Sequence, residues 1–164
     1  MNTIQVGPRN SKCQHNTPAI SRSRTAATRQ RLQRRGGAVP AQKRILVVDD
    51  HRHSREGLRE SLLGEGYQVE AAADCWQAIK KVKEARFELA IIDLDLPPVY
   101  GVDMSGWDLI RICRAFHPGI TIIVVSADAG QEVKAQAEEL KVAKVLEKPI
   151  DPTQLKAIFR TLNL

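Results

Sequence analysis

From residue 45 onward, hydrophobic and polar positions fall into two alternating periods. Residues 45–48 are a continuous apolar run, largely β-branched, that ends at Asp49-Asp50. Such a run predicts a strand buried on both faces. Residues 54–63 follow, with Leu58 and Leu62 one helical turn apart on a single face and Gly64 closing the element. Tyr67, Val69 and Ala71 alternate as a short second strand. Asp74 has the character of a helix N-cap, with Gln77 three residues later as in a capping box. The helix it opens buries Ala78, Ile79 and Val82.

The same rhythm continues to the end. Residues 89–94 form a third strand, apolar until Asp93, and residues 97–105 a long loop. A helix carrying Leu109, Ile110 and Cys113 is ended by Pro118-Gly119. Residues 121–125 make a fourth strand that stops at Ser126, and residues 131–140 a polar helix with few apolar anchors. Residues 142–146 are the fifth strand, followed by Lys148-Pro149. Asp151-Pro152 then caps a last helix with proline in its first position, whose buried stripe is Leu155, Ile158, Phe159 and Leu162. Strand and helix thus alternate five times. That predicts an α/β fold with a parallel sheet, helices on both faces and right-handed crossovers.

Composition changes this picture at one end only. The net charge of +6 conceals an asymmetry, because residues 1–44 hold ten Lys or Arg and no Asp or Glu. The other 120 residues hold 25 − 10 = 15 basic and all 19 acidic residues, a net of −4. Residues 1–43 are therefore expected to be a basic, disordered tail, since they offer almost no large apolar side chain to offset the entropy of ordering. Residues 44–164 are the folded domain, with 43% hydrophobic residues in the chain as a whole. Arg29, Arg31, Arg34 and Arg35 suit phosphates of nucleic acid or anionic lipid, although no aromatic side chain interleaves them for base stacking. The competing readings are a solvated tail without a partner, upstream sequence translated ahead of a truer start at Val39, and an organellar transit peptide. The chain has no apolar run of membrane-spanning length and no apolar core of a secretory signal, so no membrane insertion and a cytoplasmic location are expected. Cys13, Cys75 and Cys113 lack disulfide or metal-ligand spacing, and the latter two read as small apolar residues on helices.

The strand reading also places the polar residues. Asp49 and Asp50 end the first strand, Asp93 the third and Ser126 the fourth, while Lys148 follows the fifth. In parallel sheets of this kind, ligands bind beyond the carboxyl ends of the strands. Singly, each residue has a plain reading: an acidic turn, a capping serine, a surface lysine. Together they crowd three carboxylates at one edge, which raises their pKa values unless charge is neutralised. A hard divalent cation such as Mg²⁺ and the Lys148 ammonium could do so. Such a site suits an incoming phosphoryl group, with Asp93 as nucleophile and Ser126 as hydrogen-bond donor.

At this point the chain resembles the CheY-like receiver domains of two-component response regulators. The matching pieces are ILVVDD at the first strand, IIDLDLP at the third, IIVVSA at the fourth, EKP after the fifth, and SGWDLIRICRA in the helix after Asp93. The resemblance covers the chain from Lys43 onward. It implies a flavodoxin-like, doubly wound (βα)5 fold with strand order 2-1-3-4-5. It implies that Asp93 is the phosphoacceptor and that Ser126 and Lys148 are its catalytic companions. It further implies that Mg²⁺ is held by Asp49, Asp50 and Asp93 and by the backbone carbonyl of Asp95. Pro149 is expected in a cis peptide. The phosphoryl donor would be a sensor histidine kinase, a histidine phosphotransfer protein or a small phosphodonor. No activity is expected beyond Mg-dependent self-phosphorylation and self-dephosphorylation, and output would pass through an unidentified downstream protein.

Three departures qualify the resemblance. Val145 stands where the family usually has the aromatic switch residue. The loop before Gly106 is longer than usual and brings in Val99, Tyr100, Asp103 and Met104 as candidates for gating or partner recognition. No output domain is expected after Leu164. Two rival readings differ in class. Asp93-Leu94-Asp95 also fits the Asp-x-Asp of haloacid-dehalogenase-type phosphatases, with Asp95 as acid/base, though Pro97 and the early acidic pair fit that family poorly. The other rival is a degenerate receiver that acts as a constitutive interaction module.

Overall fold

A computed structural model of the protein describes residues 42–162. The expectations for the basic segment, for Cys13 and for a start at Val39 lie outside the described residues. In chain order the elements are β1 (Arg44–Val48), α1 (Arg52–Gly64), β2 (Gln68–Ala72), α2 (Cys75–Glu84) and β3 (Leu89–Asp93). They continue with α3 (Gly106–Phe116), β4 (Thr121–Ser126), α4 (Gln131–Glu139), β5 (Lys144–Glu147) and α5 (Pro152–Thr161). All strand pairs are parallel and their order across the sheet is β2-β1-β3-β4-β5, as expected.

Between their polar end residues the central strands are apolar, because successive side chains enter two different cores. Leu46, Val48, Ala90, Ile92, Ile122 and Val124 point to one face and pack with α2 and α3. Ile45, Val47, Leu89, Ile91, Ile123 and Val125 point to the other and pack with Leu58 and Leu62 of α1 and Leu155 and Phe159 of α5. The helical stripes read from sequence therefore face the cores: Leu58, Leu62, Ala78, Val82, Leu155 and Phe159 are buried, while Ile79, Ile158 and Leu162 pack there only partly buried. Ala137 is the one buried residue of α4, consistent with its polar pattern. Cys75 and Cys113 are buried as small apolar residues.

Local differences from the sequence reading have local causes. The first helix begins at Arg52, two residues early, because His51 takes the N-cap position with extended backbone and no side-chain cap bond. It runs through Gly64, and the left-handed residue beyond it is Gly66. Asp74 accepts from the Gln77 backbone at 2.8 Å as a cap should, but the Gln77 side chain accepts from Ala73 rather than from the cap residue. In α3 the full reciprocal box is instead made by Ser105 and Asp108.

The long loop contains a small hairpin. Val99 and Val102 pair antiparallel through two backbone hydrogen bonds of 3.3 and 3.1 Å. Tyr100 and Gly101 between them have φ of 55° and 72°, the sign that a type I′ turn demands of both central residues. Tyr100 is 90% exposed. Met104 instead packs against the α2–α3 core, and its carbonyl accepts from the Cys75 thiol.

Candidate functional site

Register brings the carboxyl ends of four strands together. Val48 pairs with Ile92, so the next residue on β1, Asp49, sits beside Asp93 at the end of β3. Asp93 in turn pairs with Val125, one residue before Ser126, and Ser126 pairs with Glu147, one residue before Lys148. Asp49, Asp93 and Ser126 are the three buried polar residues among those described.

Each side chain is held by its own local structure. Asp93 is 1% exposed; one carboxylate oxygen accepts from the Asp95 backbone at 2.9 Å and the other from the Lys148 ammonium. Burial raises the Asp93 pKa, and the Asp49 charge adds to this. The Lys148 hydrogen bond, the Asp95 amide and the Lys148 charge offset it only in part. Burial acts to lower the Lys148 pKa, but the hydrogen bond to Asp93 and the charges of Asp93, Asp49 and Asp95 leave it above the ordinary lysine value. The two directions are compatible. A partly exposed ammonium gains from three carboxylates, while a fully buried carboxylate loses more water than one ammonium replaces.

The acidic pair is organised by the turn that leads into α1. One Asp49 oxygen accepts from the His51 backbone at 2.8 Å. Arg55, on the first turn of α1, donates to the backbone carbonyls of Asp49 at 2.7 Å and Asp50 at 3.2 Å. The His51 ring nitrogen Nδ1 lies 2.8 Å from an Asp50 oxygen. Donor atoms of Asp49, Asp50, His51 and Asp93 all fall within 4.8 Å of one another. That donor set suits a divalent cation, and its carboxylate oxygens suit a hard one.

Asp95 is not part of this group. Its carboxylate accepts from the Ala127 backbone at 2.9 Å and lies 3.7 Å from Lys148 Nζ, while its backbone N–H is bound to Asp93. The Ser126 hydroxyl accepts from the Asp128 backbone at 3.3 Å, and its carbonyl accepts from the Lys148 backbone at 2.9 Å. The Lys148–Pro149 peptide is cis, as expected. Beside the site, a cleft of about 580 Å³ is lined by His51, His53, Ser54, Lys148 and Pro149 among others. Val145 pairs with Val124 and packs, partly buried, against the α2–α3 core.

Two site residues escaped the sequence reading. His51 directly follows the acidic pair, and that adjacency was the available signal. Arg55 had none, because a polar residue on the first turn of a helix is ordinary. Gly106 gains a specific meaning: a Cβ there would lie 2.6 Å from the Asp93 carbonyl oxygen and 2.8 Å from Leu94 Cα.

Comparison with known proteins agrees with this geometry. The response regulator receiver domain model matches residues 45–160. The transcriptional regulatory protein CusR of Escherichia coli is 29% identical over 119 residues, which are 73% of this chain and 50% of that protein. The chain thus spans about half the length of the curated relatives it matches. Among solved structures, a CheY-like receiver domain protein from Methanospirillum hungatei is 31% identical with a TM-score of 0.67, over 75% of this chain and 95% of that one. The response regulator TrrA from Thermotoga maritima, solved in complex with Mg²⁺ and BeF, is 28% identical with a TM-score of 0.62, over 73% of this chain and 98% of that one. The phosphatase reading is not favoured, since the Asp95 carboxylate it needs as acid/base is bound to Ala127 and faces Lys148. With four strand ends meeting at a buried aspartate and the family pattern matched over residues 45–160, the chain belongs to the response regulator receiver domain family.

Proposed function

We propose that Asp93 accepts a phosphoryl group and that this modification switches the protein's contacts with a downstream partner. The observation that carries the reading is a carboxylate 1% exposed, hydrogen-bonded to Lys148 and flanked by two further aspartates. An Asp93 oxygen attacks phosphorus in line, the bond to the donor's leaving group breaks, and an acyl phosphate forms. Lys148 already binds an Asp93 oxygen, which supports a role in binding a phosphoryl oxygen there. Ser126, one residue beyond the β4 partner of Asp93, would donate its hydroxyl to another. Asp49, Asp50 and Asp93, with the Asp95 backbone carbonyl, would hold Mg²⁺. When bound, Mg²⁺ would supply positive charge to the phosphoryl oxygens.

The donor would be a phosphohistidine on a sensor kinase or phosphotransfer protein, and the cleft beside Lys148 gives it room to approach. Location in the cytoplasm and the absence of any turnover beyond self-phosphorylation and self-dephosphorylation belong to the same reading. Incubation with acetyl phosphate and Mg²⁺ should add one hydroxylamine-labile phosphate, and Asp93→Asn should abolish it. An equal label in that variant would place the acceptor elsewhere.

A further inference from the structure

The acidic group holds a donor that a magnesium site has no use for. His51 Nδ1 lies 2.8 Å from Asp50 Oδ1 and 3.9 Å from Asp49 Oδ1. Its backbone N–H is bound to the same Asp49 oxygen, so the ring is tethered beside both carboxylates. Two ligands that neighbour each other around an octahedral ion with bonds of about 2.1 Å stand about 3 Å apart. The separation of His51 Nδ1 and Asp50 Oδ1 matches that spacing. Asp49 and Asp93 complete a set of four donors within 4.8 Å. The ring is 74% exposed, so it can turn toward an ion without disturbing packed neighbours.

Donor chemistry then decides which ion gains. Mg²⁺ prefers oxygen and keeps much of its water. Imidazole nitrogen suits the first-row divalent metals, whose affinity for nitrogen ligands rises from Mn²⁺ through Co²⁺. This inference rests on the reading of the acidic group as a cation site. We propose that His51 is a nitrogen ligand in that site, which turns a magnesium-type site into one that takes first-row transition cations in preference. On binding, the His51–Asp50 hydrogen bond gives way to two bonds to the ion, and the ring proton resides on Nε2. His53 lines the adjoining cleft but is not one of the four clustered residues, so it serves as the control.

Pulsed electron paramagnetic resonance of the Mn²⁺-loaded full chain tests this directly. Wild type and His53→Gln should show coupling to an imidazole ¹⁴N, and His51→Gln should lose it. Calorimetric titration should show the ratio of Co²⁺ to Mg²⁺ affinity falling roughly tenfold or more in His51→Gln. Bound Mn²⁺ without nitrogen coupling in wild type, coupling that survives in His51→Gln, or an unchanged ratio overturns the proposal while leaving the acidic site intact. Absence of any saturable Mn²⁺ binding overturns both this proposal and the cation-site reading beneath it.

Discussion

A side chain at Gly106 would put its Cβ 2.6 Å from the carbonyl oxygen of Asp93, so the first residue of α3 rests directly on the backbone of the proposed acceptor. The backbone position of Asp93 is thus set in part by this helix, whereas its carboxylate is bound by the Asp95 amide and Lys148.

Gly106→Ala should therefore be costly where a helical Gly→Ala change is ordinarily favourable by about 1 kcal/mol. The clashing atoms are backbone, Asp93 O and Leu94 Cα, and cannot rotate away. Overpacking of this kind costs about 1–3 kcal/mol and should win. Thermal denaturation should show a lower Tm, and acetyl phosphate should label the variant more slowly. A higher Tm would mean that the contact is relieved without cost.

The raised pKa of Asp93 fixes a pH dependence. The folded protein holds this proton more tightly than the unfolded chain. The stability it contributes is fully present below the ordinary carboxylate value of 3.8 and is lost as pH rises through the raised value. Asp93→Asn removes the buried charge but keeps an oxygen to accept from Asp95 and Lys148. Its stability relative to wild type should grow as pH rises from about 4 toward 7. Urea unfolding in the presence of a chelator measures this, and a difference that shrinks with pH would contradict it.

The two buried thiols should be inert. Burial pushes Cys75 up to about 11 and Cys113 up to about 12, with the Asp74 and Asp108 charges helping the first and Cys75 the second. Thiolate is the reactive form and is scarce at neutral pH under those conditions. In a Cys13→Ser background, a disulfide reagent at pH 8 should label neither residue until urea unfolds the domain, whereupon both should react.

The site and the fold were legible to different depths. Strand runs such as Ile45 to Val48 declare themselves because both faces are buried, and their ends then locate Asp49, Asp93 and Ser126. Lys148 follows from the same logic. His51 was legible only by its adjacency to the acidic pair and Arg55 not at all, because their roles arise from how the turn after β1 folds back on itself, which no periodicity encodes. Nor was the hairpin at Val99 and Val102. Tyr100 is a poor candidate for positive φ, and the pattern lacks the Asn-Gly or Asp-Gly pair that usually marks such a turn.

Val145 bears on how the switch is read out. It is β-branched, stiff at χ1 and packed against the α2–α3 core, so it cannot swing as an aromatic ring would. Phosphorylation should instead act through residues 127–130, tied to Asp95 by the Ala127 amide, and through residues 97–105. Amide exchange with and without beryllofluoride should change most in those two segments, and partner binding should suffer more from Tyr100→Ala than from Val145→Ala. Changes confined to β5 and α5 would refute this.

The hairpin at residues 99–102 closes on itself with two hydrogen bonds, and Tyr100 at its tip is 90% exposed. The paired residues Val99 and Val102 close this part of the loop on itself between β3 and α3. It is therefore a natural port for grafting. A short epitope or a fluorophore attachment site inserted between Tyr100 and Gly101 would ride on a closed stem in the loop between β3 and α3, with the exposed tip pointing away from the core.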